Sequence, residues 1–174
     1  MSSTSLLQRE LKTVTQSEQC ENFIIEVVDN NIHHWRLTFP ATNFGNPLQA
    51  DLKQFAKKYK KEDEIVLEME FPSNYPLSPP FVHVIRPRFQ FHTGHVTING
   101  SICVEILTEG NGKDQWRPFI SCESLIIMLQ SLFEAGNGRV DFGSHHNPFP
   151  EYDYDARQAR DDFYRVARQH GWII

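Results

Sequence analysis

Cysteine is scarce in this chain: 174 residues hold three, Cys20, Cys103 and Cys122, widely spaced and without a CxxC pair. An odd number at such spacing suggests neither a disulfide framework nor a structural zinc site, and no metal is expected. A reducing compartment fits best. Long apolar runs are missing too, since the most apolar stretch, LIIMLQSLF, falls far short of the roughly 20 residues that span a bilayer. The start, MSSTSLLQRE, has no basic stretch leading into a long apolar core. A soluble, intracellular protein without a membrane partner is expected, in the cytoplasm, the nucleus or both. Positive charge is not in excess: 17 Lys+Arg stand against 22 Asp+Glu, a formal charge of −5. No broad cationic field is available for a phosphate backbone, so nucleic acid is set aside as the main partner. With no internal repeat, and with 40% hydrophobic residues, the length suits one domain with its own core, read as residues 1–174.

What is present divides into recognisable elements. Leu7, Leu11 and Val14 fall at helical spacing behind Thr4 and Ser5, which serve as capping candidates. Phe23, Ile25 and Val27 alternate with polar residues, Asp29-Asn30-Asn31 turns, and Trp35, Leu37 and Phe39 resume the alternation, which predicts a hairpin. Leu48, Leu52, Phe55 and Tyr59 predict a short helix with lysines clustered at its C-terminus, where cations are favoured. Glu64–Phe71 and Phe81–Ile85 alternate as strands, and prolines 72, 76, 79 and 80 stiffen the connection between them. Ser121 caps LIIMLQSLF, apolar nearly all round and therefore read as buried. A last amphipathic helix runs through Ala156, Ala159, Phe163, Val166 and Ala167, with Asp153 or Asp155 at its start and His170-Gly171 at its stop. Together these describe an α+β domain: an antiparallel meander packed against helices, with a helix at each end and another after Cys103.

Cys103 lies in INGSICVEILTEG, downstream of FPSNYPLSPPFVHVI and upstream of Trp116-Arg117-Pro118. Thiolates are good nucleophiles even though only a few per cent of free thiols ionise at neutral pH, so cysteine suits repeated acyl capture and release. A buried, inert cysteine is the alternative for the isolated pattern GSIC. Gly94, Asn99 and Gly100 permit left-handed turns before it.

FPSNYPLSPP, GSICVEIL and WRP resemble the ubiquitin-conjugating enzymes, and FVHVIRPRFQFHTGHVTINGSIC is most similar to their Q-type branch. The resemblance covers almost the whole chain and implies that Cys103 carries ubiquitin as a thioester. The implied partners are a ubiquitin-activating enzyme, a ubiquitin ligase and a protein substrate. The implied state is a monomer. The chain itself would need no cofactor, because ATP is used by the activating enzyme. By position the resemblance makes Leu77 and Phe119 exposed anchors for the ligase, joined by Trp116 and Pro118 and by the charges of Arg9 and Lys12. Trp116 and Pro118 also have a purely structural reading, as a large buried ring and a stiffened loop.

One departure stands out. The family commonly places the Asn of His-Pro-Asn eight residues before the cysteine, and here 103 − 8 = 95 is His95. His95 either donates to the oxyanion of the tetrahedral intermediate, as asparagine would, or braces the loop, or is merely solvated. Glu105 matches an acidic position that orients an attacking amine, or else is a surface charge. Asp141 is a candidate flank of the cleft, and His145-His146 read as loop histidines rather than metal ligands. Two rival functions stand beside conjugation. One is a catalytically silent binding module of the same fold. The other is a cysteine hydrolase using His95 or His92 as base, disfavoured because Val104–Leu107 alternates like a strand and not like a helix start.

Overall fold

The computed structural model describes residues 2–172. Helix α1 (Ser3–Gln16) precedes strands β1 (Ile24–Val27) and β2 (His34–Pro40). Helix α2 (Leu48–Tyr59), strands β3 (Glu64–Glu70) and β4 (Phe81–Arg86), and helices α3 (Cys122–Ala135) and α4 (Ala156–His170) follow. The four strands pair in the order β1-β2-β3-β4, every pair antiparallel.

Alternation in the strands becomes two unlike faces. The register sets Trp35 opposite Met69, Leu37 opposite Leu67, and Met69 opposite Val82, all fully or almost fully buried. On the other face Arg36 lies opposite Glu68, and Glu68 opposite His83. Glu68 there accepts from both Arg36 and His34. Asp29 and Asn30 turn the first hairpin with positive φ (50° and 56°), a conformation short polar side chains tolerate.

α1 begins one residue before the capping candidates: Ser2 Oγ accepts from the Ser5 amide at 3.2 Å, and Thr4 and Ser5 lie inside the helix. Leu7 and Val14 are fully buried. α3 starts at its Ser121 cap, and Glu10 of α1 accepts from the Cys122 amide at 3.0 Å, so one carboxylate ties the first helix to the start of α3. The expectation that α3 is buried on all sides is corrected: Leu125, Ile126, Leu129 and Phe133 enter the core, but Ile127 and Met128 face outward.

α2 has a structural task. Its Leu48, Leu52 and Phe55 join the core, and the buried Asp51 accepts from Arg139 Nε at 2.6 Å and from the Val140 amide at 3.2 Å. It thereby fixes the chain just after α3. α4 is capped by Asp155 and ended by Gly171 at φ 70°, with the Trp172 amide bonded to Ala167. It packs along β4, where Arg160 pairs with Glu70 at 2.6 Å and lies 4.1 Å from the centre of the Phe81 ring. None of the described helices is long and apolar enough to cross a membrane.

Candidate active site

Residues 94–103 form a flap that zips onto the free edge of β4. Gly100 accepts from the Val84 amide at 2.7 Å and the Ile102 amide donates to Val82 at 3.0 Å. Within the flap the Thr97 amide donates to Ser101, and the Cys103 amide donates to the His95 carbonyl at 2.9 Å. Gly100 is required where the flap turns: its φ is +96°, and a Cβ there would lie 2.5 Å from Cγ of Tyr154. Gly94 is likewise left-handed at φ 64°, whereas Asn99 is not, so the expected freedom at Asn99 goes unused. In place of a third turn, the Asn99 amide donates to Asp162 of α4 at 3.2 Å.

Cys103 emerges half-buried at the end of this flap and lines a groove of about 410 Å³. One wall is the loop carrying His92 and His95; the other is α4, through Arg165, Val166, Gln169 and His170. Both His92 and His95 have positive φ (59° and 58°), uncommon outside glycine but a conformation histidine adopts more readily than most residues. Burial pushes the Cys103 thiol up to about 11; Asp162 adds to the rise and Arg165 opposes it.

His95 and Cys103 are therefore brought together on one groove, as the family resemblance implied. The His95 ring is exposed, rests over Gly136 at the end of α3, and takes part in no hydrogen bond among the described residues. A Cβ on Gly136 would stand 2.7 Å from its Cδ2, so this glycine is what lets the ring lie there.

Glu105 is exposed but does not line the groove. The expected strand over Val104–Leu107 is corrected to a single 3-10 turn, Glu105–Leu107. The reason is local: the Thr108 hydroxyl and amide both bond to the Glu105 carbonyl, at 2.7 and 2.9 Å, and curl the chain. The case against a hydrolase then rests on the thiol itself. A Cys–His hydrolase needs an imidazole bonded to the sulfur, and among the described residues Cys103 Sγ has no hydrogen-bond partner.

Asp141 is not a flank of the cleft but a buried hub. It accepts from the Gly143 and Ser144 amides, the Ser144 hydroxyl and Asn147. Burial works to raise its carboxyl, but the hydrogen bonds from Ser144, Asn147 and the Gly143 backbone outweigh it and hold it below the ordinary range. His145 and His146 are exposed, and among the described residues no three His, Cys, Asp or Glu side chains gather as a metal-binding group.

The surface assigned to partners splits in two. Leu77 and Phe119 are 70% and 85% exposed, Pro118, Arg9 and Lys12 are exposed as well, and Arg9, Pro118 and Phe119 line one cleft of about 430 Å³. Trp116 has the structural role read for it beside a binding one. Its ring is 3% exposed, its Nε1 donates to the Pro76 carbonyl at 2.7 Å, and it closes an aromatic chain through Tyr75 and Phe71 to Trp35.

The class so defined is an α+β domain, an antiparallel meander flanked by helices, in which an edge flap brings a cysteine to an open groove. The family profile described as "Ubiquitin-conjugating enzyme" matches residues 6–141, and the chain belongs to this family. Within it the similarity runs to the Q-type branch. Human "Ubiquitin-conjugating enzyme E2 Q1" is 29% identical over 171 residues, covering 97% of this chain and 38% of that protein. The human Q-like protein 1 of the same family is 25% identical over 152 residues, 86% of each chain. The chain thus spans well under half the length of the first of these relatives. Among solved structures, a ubiquitin-conjugating enzyme of Plasmodium falciparum superposes with a TM-score of 0.55 at 27% identity, covering 75% of this chain and 83% of that one.

Proposed function

We propose that this protein is a ubiquitin-conjugating enzyme in action as well as in family, carrying ubiquitin on Cys103. The observation that supports it most is the placing of one half-exposed cysteine, by the flap's own hydrogen bonds, at an open groove that also presents His95. In the reaction the Cys103 thiol gives up its proton and its sulfur bonds to the carbonyl carbon of ubiquitin held as a thioester on the activating enzyme. The old C–S bond breaks and that sulfur leaves as a thiolate. The acceptor nucleophile then repeats the exchange on Cys103. No electrons are lost or gained and no cofactor is needed on this chain; ATP is spent by the activating enzyme.

A thiol at about 11 leaves roughly one molecule in a thousand ionised at pH 8, so catalysis rests on positioning and on support of developing negative charge. His95 is the candidate donor for that charge. The cleft of Arg9, Pro118 and Phe119, with Leu77 beside it and Lys12 further along α1, is the proposed ligase-docking face. Cytoplasm and nucleus are the proposed locations, where activating enzyme and ligases would be met.

Mixing the protein with activating enzyme, ATP and ubiquitin is expected to give a thiol-sensitive adduct on a non-reducing gel. Cys103→Ala is expected to abolish it and Cys20→Ala to leave it. Loss through Cys20 instead would overturn the assignment. Docking of a ligase without any adduct would favour a silent binding module.

A further inference from the structure

α4 does more than close the groove. Among the described residues that line it there is no aspartate or glutamate, and Arg165 is the one permanent cation. Its guanidinium is held from behind: Arg165 Nε donates to Asp162 Oδ1 at 3.0 Å and Nη2 bonds to the same oxygen. The Asp162 side chain is 3% exposed, and its other oxygen accepts from the Asn99 amide at 3.2 Å, in the turn that carries Cys103. One buried carboxylate therefore fixes both the nucleophile's turn and the cation facing the groove.

We propose that Arg165, clamped by Asp162, is a positioning residue that supports the Cys103 thiolate during acyl transfer. A buried carboxylate close to a thiol disfavours its ionisation, and a cation held on that carboxylate at the same groove offsets this. The opposing effects of Asp162 and Arg165 on the thiol follow that arrangement. The other titratable groups near the sulfur are His92 and His95 on the loop wall, His170 on the helix wall, Asp161 beside the clamp, and Glu105 two residues along the chain. Among these groups Arg165 alone is an always-charged cation.

The acyl-carrier reading gives this its catalytic meaning, but the test needs no ubiquitin. Alkylation of Cys103 by iodoacetamide, followed on the Cys103 peptide by mass spectrometry from pH 7 to 11, reads the thiolate fraction directly. Arg165→Gln is expected to move the profile to higher pH and to slow alkylation at pH 8 roughly 3- to 10-fold, at the low end of charge effects because the guanidinium is half exposed. The difference is expected to shrink in about 1 M salt, where the Debye length is near 3 Å. Arg165→Lys keeps the charge and is expected to restore most of the rate, while Arg168→Gln, on the same helix but outside the groove, changes nothing. Should Arg165→Gln fail to fold, Gln169→Lys carries the test, since this exposed wall position gains a cation and alkylation at pH 8 is expected to quicken. An unchanged profile in folded Arg165→Gln, or in Gln169→Lys, overturns the proposal. That outcome would leave thioester formation on Cys103 untouched, and failure of thioester formation would leave the alkylation result standing.

Discussion

Gly100→Ala is expected to be among the most damaging single-methyl changes in this protein. Two terms add. At φ +96° an L-residue is disfavoured by ~1–2 kcal/mol. The new methyl would also stand 2.5, 2.7 and 3.0 Å from three atoms of Tyr154. That ring has nowhere to go. It is 5% exposed, its hydroxyl accepts from the Phe89 amide at 2.9 Å, its own amide donates to Ile85, and Arg88 lies 4.6 Å from its face. Overpacking of this kind costs ~1–3 kcal/mol, so the total loss is ~2–5 kcal/mol, a large part of a typical domain's stability. Because Gly100 also accepts the Val84 amide, the flap is expected to loosen and Cys103 to alkylate faster under native conditions. Urea unfolding followed by tryptophan fluorescence measures the first effect and peptide-level alkylation the second. Gly171→Ala isolates the backbone term, since its φ is +70° with nothing within 4 Å of the added carbon; about 1 kcal/mol is expected there. A Gly100→Ala protein no less stable than Gly171→Ala would refute the Tyr154 collision and with it the account of how the flap is seated.

Three further outcomes are expected. His83 is fully buried, stacks on Phe81, and has no hydrogen bond on either ring nitrogen among the described residues; burial pulls its pKa below the ordinary 6.5. The folded state keeps it neutral while the unfolded chain takes a proton, so its contribution is complete above 6.5 and falls as pH drops towards the lowered value. His83→Phe should flatten the stability slope between pH 7 and 5, by at most about 1.4 kcal/mol per unit, and an unaltered slope would exclude this residue as its source. Trp116→Phe removes the bond to the Pro76 carbonyl and is expected to cost about 1–3 kcal/mol in urea unfolding while leaving Cys103 alkylation near normal. His95→Ala, with its ring already free of hydrogen bonds, is expected to leave ubiquitin capture intact but slow discharge ~10²- to 10³-fold, with His95→Asn restoring much of it. Normal discharge in folded His95→Ala would remove it from the mechanism.

Much of this was legible in the chain because periodicity reports burial. Leu48, Leu52, Phe55 and Tyr59 marked α2, and the alternation of Trp35, Leu37 and Phe39 marked the core face of β2, with bounds matching within a residue or two. Cys103 and His95 share a groove, as the family resemblance implied. What escaped was set by partners distant in sequence. Asp162 joins the Asn99 turn 63 residues away, and Asp51 receives Arg139 across 88, pairings that leave no local pattern. Arg165 and Gln169 showed only as the polar face of an amphipathic helix. Glu105–Leu107 alternated too briefly to resist a threonine side chain. Trp116 admits a structural reading beside a binding one, and its burial bears out the structural one.

Locating the acyl group decides the central claim most directly. Cys103→Ser, charged with activating enzyme, ATP and ubiquitin, is expected to form an adduct that resists thiols and yields to base, because the oxygen ester replaces the thioester. Peptide mass spectrometry should place the ubiquitin remnant on residue 103. A remnant found on Cys20, Cys122 or a lysine, with residue 103 bare, would contradict the account.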